Sequence, residues 1–230
     1  MSKKLPIAIL AFIVALGFAL RFRGLDSAGF IEDEVHKIEA ARSYLRGNFL
    51  VNLEHPMLMK SLISVSVTAA DCWNRSASHA HLIPEEVAVR LPNVVFGALT
   101  AVVLFLVARE FFGFGVGILS ALLWATGVFA ISINRIAKED TLLVFFTWLA
   151  FYLFLRAREL SKTDVPGSER WFASSGASFG LMLASKYFPH YLGLNFLCHY
   201  LWGKMGNAPP RRWRNTLLVL GGLRIGFYLG

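Results

Sequence analysis

Cysteine, charge and repetition are all scarce in this chain of 230 residues. Its 2 cysteines, Cys72 and Cys198, form neither a disulfide framework nor a CxxC metal pair. Charged residues make up 17% of the chain, where about 25% is usual in soluble domains. That shortage, beside 20 Phe and 6 Trp, excludes a disordered or nucleic-acid-wrapping chain and leaves no nucleic-acid partner. No internal repeat or low-complexity segment is evident. No strand precedes Gly113, Gly115 and Gly117, so they fit a tight turn and a helix contact rather than a nucleotide-binding loop.

What is abundant is apolar. Hydrophobic residues reach 56%, against roughly 45–50% in ordinary globular chains, so composition indicates a membrane protein before length is considered. The 23 basic residues outnumber the 15 acidic ones, giving a net charge of +8. Most of them fall in short segments between apolar runs, as expected where loops face anionic lipid headgroups.

The first uncharged run covers residues 5–20, about 24 Å as a helix, a little under a hydrocarbon core of about 30 Å. Lys4 and Arg21 are expected to snorkel and close the gap. Further apolar runs follow and no small-residue cleavage site ends this one, so it reads as a retained anchor with an inside N-terminus. Residues 21–90 are too charged to span. Within them, residues 34–46 place Val35, Ile38, Ala41 and Leu45 on one helical side, with Gly47 as the stop. Residues 57–70, interrupted by Lys60, suit a second helix lying on the membrane.

Uncharged runs recur at residues 91–108, 111–134, 141–155, 171–185 and 187–203, each a candidate span. The segment with Arg156, Arg158, Lys162 and Arg170 and the one with Lys204, Arg211, Arg212 and Arg214 are both expected in the cytoplasm. Counting spans puts them there, and puts residues 21–90 and 134–140 outside. A seventh run begins at Asn215, meets Arg224 and ends at Gly230, which reads as one membrane-embedded domain over 1–230, truncated at its C-terminus, with an outer loop at 21–90. The expected fold class is all-α: a multi-pass transmembrane helical bundle with interfacial helices in the first outer loop.

Three consecutive carboxylates, Glu32, Asp33 and Glu34, stand directly after the first span and before an amphipathic helix. Such crowding opposes ionisation, so at least one carboxyl is expected to hold protons more tightly, as a general base working near neutral pH requires. The other reading is an acidic helix start, favoured by the helix dipole. His36 follows Asp33 by three residues, on one helical face, within reach of a hydrogen bond. His55, Pro56 and Lys60 open the second helix, where Lys60 would point at the membrane surface, either as a binding group or as a lipid anchor. Arg90, Arg135, Asp140 and Lys186 lie at span ends, where the cations either clamp a phosphate at headgroup depth or merely snorkel. His190 and His199 read as packing residues, with no metal site. Asn74, Arg75 and Ser76 match a glycosylation acceptor pattern on the expected outer side.

Taken in order, these segments resemble the dolichyl-phosphate-mannose protein O-mannosyltransferase family, within the superfamily of membrane glycosyltransferases. Ile31-Glu32-Asp33-Glu34-Val35-His36 is similar to that family's first-loop acidic motif, and His55-Pro56-Met57-Leu58-Met59-Lys60 to its His-Pro-Pro-Leu-Gly-Lys. Arg90-Leu91-Pro92, the Arg135 to Asp140 spacing and Ala184-Ser185-Lys186-Tyr187 recur in the family's order. Met57 and Met59 depart from the pattern, and the family's later spans do not appear.

The resemblance implies catalytic roles for Asp33, as base, and Glu34, its neighbour. It implies substrate-binding or framework roles for His36, His55, Lys60, Arg90, Arg135, Asp140 and Lys186. The expected reaction transfers a sugar, mannose, from a polyprenyl-phosphate donor to a protein Ser or Thr hydroxyl with inversion. The donor is the expected ligand, with no certain cofactor, no metal ligand and divalent-metal dependence open. Expected partners are the lipid-linked donor, a protein or lipid acceptor, membrane lipids, and a further copy or the missing C-terminal half. The expected setting is the plasma membrane or endoplasmic reticulum, with the site on the extracytoplasmic side. Two alternatives stand beside it: a transporter or non-catalytic membrane subunit, and an enzyme acting on a lipid or glycan acceptor.

Overall fold

A computed structural model describes residues 4–76, 82–187 and 212–230. Among the described residues the chain is all helix, without strands, and it divides into two compact units, Met1–Phe145 and Phe146–Gly230. The first holds α1 (Lys4–Phe22), α2 (Glu32–Tyr44), α3 (Leu58–Ser76), α4 (Glu85–Phe112), α5 (Phe114–Thr126) and α6 (Val128–Asn134). Helix α7 (Glu139–Leu160) starts in the first unit and continues into the second, which also holds α8 (Val165–Ser185) and α9 (Arg212–Leu229).

Helices α1, α4 and α7 are long and apolar enough to cross a membrane, and the bent pair α5–α6 makes a fourth if it is one span. The run at residues 111–134 is therefore not one straight helix: it breaks at Gly127 by 57°. Helices α8 and α9 are not among those candidates. The run at residues 187–203 and His190, His199, Cys198, Lys204 and Arg211 lie outside the described residues.

The break at Gly127 explains the fate of Arg21. Bending the chain deprives the last carbonyls of α5 of their helical N–H partners, which is costly where no water reaches. Arg21 supplies them: Nη1 donates to the Ala125 carbonyl at 3.0 Å and Nη2 to the Trp124 carbonyl at 2.9 Å. A third bond, from Nε to Asn134 Oδ1 at 2.9 Å, reaches the end of α6. The expected snorkelling of Arg21 is thus wrong; the side chain is fully buried and braces α1 against the bend.

Helix α4 begins at Glu85, so Arg90 lies inside it instead of preceding it, and Pro92 falls in its interior instead of its first turn. Pro92 has no N–H to offer the Ala88 carbonyl one turn back. Ser66 of α3 takes that place, its hydroxyl donating to the Ala88 carbonyl at 2.6 Å. Ser64, two residues earlier, donates to the Ala41 carbonyl of α2 at 3.0 Å. Two hydroxyls on one helix thereby dock α3 against α4 and α2.

Helix α2 ends at Tyr44, earlier than expected, and the turn after it closes at Gly47, which adopts φ 78°. Of the four residues assigned to its apolar side, Ile38 and Ala41 are buried, whereas Val35 and Leu45 are exposed. The turn at Gly113 likewise uses positive φ, 85°, to reverse the chain between α4 and α5.

In the second unit, α8 and α9 cross with backbones in contact. A Cβ on Gly176 would run into the Val219 carbonyl, and one on Gly222 or Gly226 into the carbonyls of Ala173 or Ala177. Small residues four apart on both helices permit that approach, which is how helices pack where lipid supplies no hydrophobic drive. Phe172 packs edge-on against Phe154 beside this crossing, their ring centroids 6.0 Å apart.

Candidate functional site

The site is built from one turn of α4 upward. Arg90 and Asn93, three residues apart, share a helical face. Arg90 reaches back to the turn after α1, donating from Nη1 to the carbonyls of Leu25 at 2.7 Å and Ala28 at 2.9 Å, and from Nη2 to Gly29 at 2.8 Å. Its remaining donors go to Glu34: Nε to Oε1 at 2.9 Å and Nη2 to Oε2 at 2.7 Å. All five guanidinium N–H groups are therefore committed inside the protein. Asn93 grips the segment between α6 and α7, its Nδ2 donating to the carbonyls of Ile136 and Lys138 and to Thr141 Oγ1. Asn134 Nδ2 donates to the same Thr141 hydroxyl at 2.8 Å.

These straps bring residues 136–139 onto the start of α2. The Ala137 N–H donates to Glu34 Oε1 at 2.9 Å, and the Ile31 N–H to Glu34 Oε2 at 3.2 Å. Burial pushes the Glu34 carboxyl upward, but Arg90 and the two backbone N–H groups outweigh it and hold the carboxyl below its ordinary value. With four donors on its two oxygens, Glu34 is a buried, fully hydrogen-bonded carboxylate.

Asp33 sits differently. Its side chain is 50% exposed and Oδ2 pairs with Lys138 Nζ at 2.9 Å. The hydrogen bond from Lys138 holds the Asp33 carboxyl below its usual range and raises Lys138 in turn. The expected tighter hold on protons is therefore not found in either Asp33 or Glu34; cations, not neighbouring carboxylates, dominate both environments. Asp33 and His36 do not bond directly: Asp33 turns to Lys138 while His36 stays exposed.

A second pair lies alongside. Glu139, buried at the start of α7, meets Lys37 Nζ at 3.3 Å and His55 Nδ1 at 3.8 Å. Lys37 also donates to the Asp33 carbonyl at 3.1 Å. Lys60 does not point at the membrane surface as expected. It is buried, donates to the carbonyls of Asn52 at 2.6 Å and His55 at 2.8 Å, and lies over the Tyr44 ring at 5.6 Å. Burial lowers its proton affinity. Lys60 thus closes the turn that presents His55.

Of the remaining predicted site residues, Arg135 is half-buried and donates from Nη2 to the Gly24 carbonyl at 2.7 Å. Asp140, half-buried in the first turn of α7, adds its charge to the field that raises Lys138. Lys186 follows α8 in the second unit, its N–H bonding the Met182 carbonyl at 3.2 Å. The structure thus gathers Asp33, Glu34, His55, Lys60 and Arg90 in the first unit, with Lys37, Lys138, Glu139, Asn93 and Asn134 beside them. Sequence reasoning missed the last five. The signals available were the four-residue spacing from Asp33 to Lys37 and the three-residue spacing from Arg90 to Asn93.

Among the described residues no group of three or more His, Cys, Asp or Glu side chains is gathered to hold a metal ion. At the acceptor pattern, the Asn74 amide donates to the Ile83 carbonyl at 3.0 Å and accepts from the Ile83 N–H at 2.8 Å, so in the folded chain the side chain is a clasp.

The profile of the family described as dolichyl-phosphate-mannose-protein mannosyltransferase matches residues 78–229. No curated protein matches the chain. In structure, the chain is similar to one from the S. cerevisiae protein O-mannosyltransferase Pmt1-Pmt2 complex bound to the sugar donor. The TM-score is 0.74 at 21% identity, over 100% of this chain and 33% of that one. The chain therefore spans about a third of the length of that structure's chain. The profile match begins after the acidic helix start and contains Arg90, Arg135, Asp140 and Lys186, while the structural match takes in the whole site.

Proposed function

Because the chain belongs to the dolichyl-phosphate-mannose-protein mannosyltransferase family, we propose that it transfers mannose from a polyprenyl-phosphate donor to a Ser or Thr hydroxyl of a protein, with Asp33 as the base. It is an integral membrane protein, and the reaction would take place on its extracytoplasmic side, in the endoplasmic reticulum or plasma membrane, within a larger assembly. The similar yeast structure, a two-protein complex bound to its sugar donor, supports both the donor and the assembly.

The observation that carries the assignment is the contrast between neighbours. Glu34 is saturated by Arg90, Ala137 and Ile31, whereas Asp33 keeps an exposed carboxylate held by one lysine. A sugar on phosphate already has a good leaving group and needs no acid to protonate it, so one base suffices. Asp33 takes the hydroxyl proton as the acceptor oxygen attacks the anomeric carbon. The bond to phosphate breaks on the opposite face, and the anomeric configuration inverts. A cation facing the departing phosphate stabilises the charge that develops on it. Arg90 and Lys60 serve this site as framework, fixing Glu34 and His55.

The test supplies the chain in lipid nanodiscs with labelled mannosyl polyprenyl phosphate and a Ser/Thr peptide. Asp33→Asn abolishes transfer and Glu32→Gln does not. Transfer by Asp33→Asn at the wild-type rate would remove Asp33 from its role, and a product of retained configuration would exclude direct displacement.

A further inference from the structure

The cations around the start of α2 differ in what they have left to offer a ligand. Arg90 has no N–H uncommitted. Lys60 is buried with two carbonyls and a ring around it, and Lys37 is buried between Glu139 and the Asp33 carbonyl. Lys138 is unlike them: its side chain is 40% exposed and, among the described residues, its ammonium pairs with Asp33 Oδ2 at 2.9 Å. An ammonium has three N–H groups on a rotatable stem, so Lys138 retains donors and can turn. Its backbone is fixed, since the Lys138 carbonyl accepts from buried Asn93 at 2.8 Å.

The same pair sets a problem for the reaction proposed above. A carboxylate that must accept a proton is neutralised by a cation lying on it. Exposed ion pairs hold weakly and exchange partners readily, and a lipid-linked sugar donor arrives with an anion of its own.

We infer that Lys138 is a partner-switching phosphate-binding residue, which leaves Asp33 for the phosphate of the incoming donor and so frees the base in the same event that delivers the substrate. This rests on the reading of Asp33 as base. The charges balance through the step. The acceptor hydroxyl gives its proton to Asp33 and its oxygen bonds to the anomeric carbon. The carbon–oxygen bond to phosphate breaks, its electron pair staying on the phosphate, which goes from one negative charge to two. Lys138, already turned to that phosphate, faces the new charge. Asp33, rid of its cation, accepts the proton more readily than in the resting site.

The experiment is a double-mutant cycle on the full chain in nanodiscs, reading both affinity for dolichyl monophosphate and mannosyl transfer. Lys138→Met weakens binding about tenfold or more, as loss of one charge-assisted hydrogen bond predicts, and Lys138→Arg restores most of it. Asp33→Asn tightens binding, because Lys138 no longer has a competing partner, and the tightening disappears in the Lys138→Met background. Equal tightening in both backgrounds would mean that Asp33 acts only through its field and would overturn the switch. Unchanged binding in Lys138→Met would overturn it as well, while loss of transfer in Asp33→Asn left the base assignment standing. Wild-type transfer by Asp33→Asn, whatever the affinities, would end the base assignment itself.

Discussion

The guanidinium of Arg90 and the carboxylate of Glu34 meet along two parallel hydrogen bonds, with both side chains out of solvent. That arrangement ties the turn after α1, the start of α2 and the segment before α7 to one residue of α4. Removing one partner strands the other as a buried charge.

Glu34→Ala is therefore expected to destabilise the first unit by about 3–5 kcal/mol, the usual cost of breaking a buried pair. Replacing both residues, as Glu34→Leu with Arg90→Met, costs less than the sum of the single changes. Heat-induced unfolding in detergent, followed by circular dichroism, gives the comparison; strict additivity would contradict the pairing.

Arg21→Leu leaves the carbonyls of Trp124 and Ala125 without donors at the bend. Each unsatisfied buried group costs roughly 1–3 kcal/mol, and the loss should concentrate locally. Amide hydrogen exchange is expected to accelerate across residues 124–134 before other parts of the first unit. Uniform acceleration along α1 and α4 would argue against a brace at the bend.

Acidification should act on Glu34 and Asp33 in a defined direction. Both carboxyls are held below their ordinary values in the folded chain. Their contribution to stability is therefore present above the unfolded carboxylate range, about pH 4, and is lost as pH falls through the lower folded values. For transfer, the acid limb of kcat/KM, which reports the free protein, lies below the ordinary carboxylate range. Lys138→Met moves that limb to higher pH. A limb that stayed put would show that Lys138 does not control Asp33.

Gly222→Val inserts a branched side chain where α9 meets the Ala173 carbonyl of α8. Helices that pack backbone to backbone cannot accommodate it without separating. Limited proteolysis is expected to cut within the second unit of the variant and to spare the wild type. Gly221→Val, where an added Cβ meets nothing, serves as the matched control.

Much of this architecture was legible from local signals. The carboxylates at residues 32–34 open α2 and the glycine at 47 closes the turn after it, because helix ends are chosen by short-range chemistry. The all-helical membrane class followed from composition. What could not be read was the direction of the cations. Arg21 and Lys60 look like snorkelling residues until a break at Gly127 frees two carbonyls far along the chain, and a turn at Asn52 and His55 folds over the ammonium. A span starting at residue 91 puts Pro92 in a first helical turn, where proline is readily accommodated, whereas α4 starts at Glu85 and encloses it. Only the hydroxyl of Ser66, brought in by another helix, makes the interior position tolerable. Lys138 was invisible for the same reason, since its meeting with Asp33 depends on Asn93 holding a segment more than forty residues downstream.

The clasp between Asn74 and Ile83 has a bearing on biosynthesis. An oligosaccharyl group could be joined to that amide only in a nascent chain whose α3 end had not yet closed, since closure occupies both the nitrogen and the oxygen. Sugar found at Asn74 would accordingly be a timestamp, marking molecules in which this corner matured late.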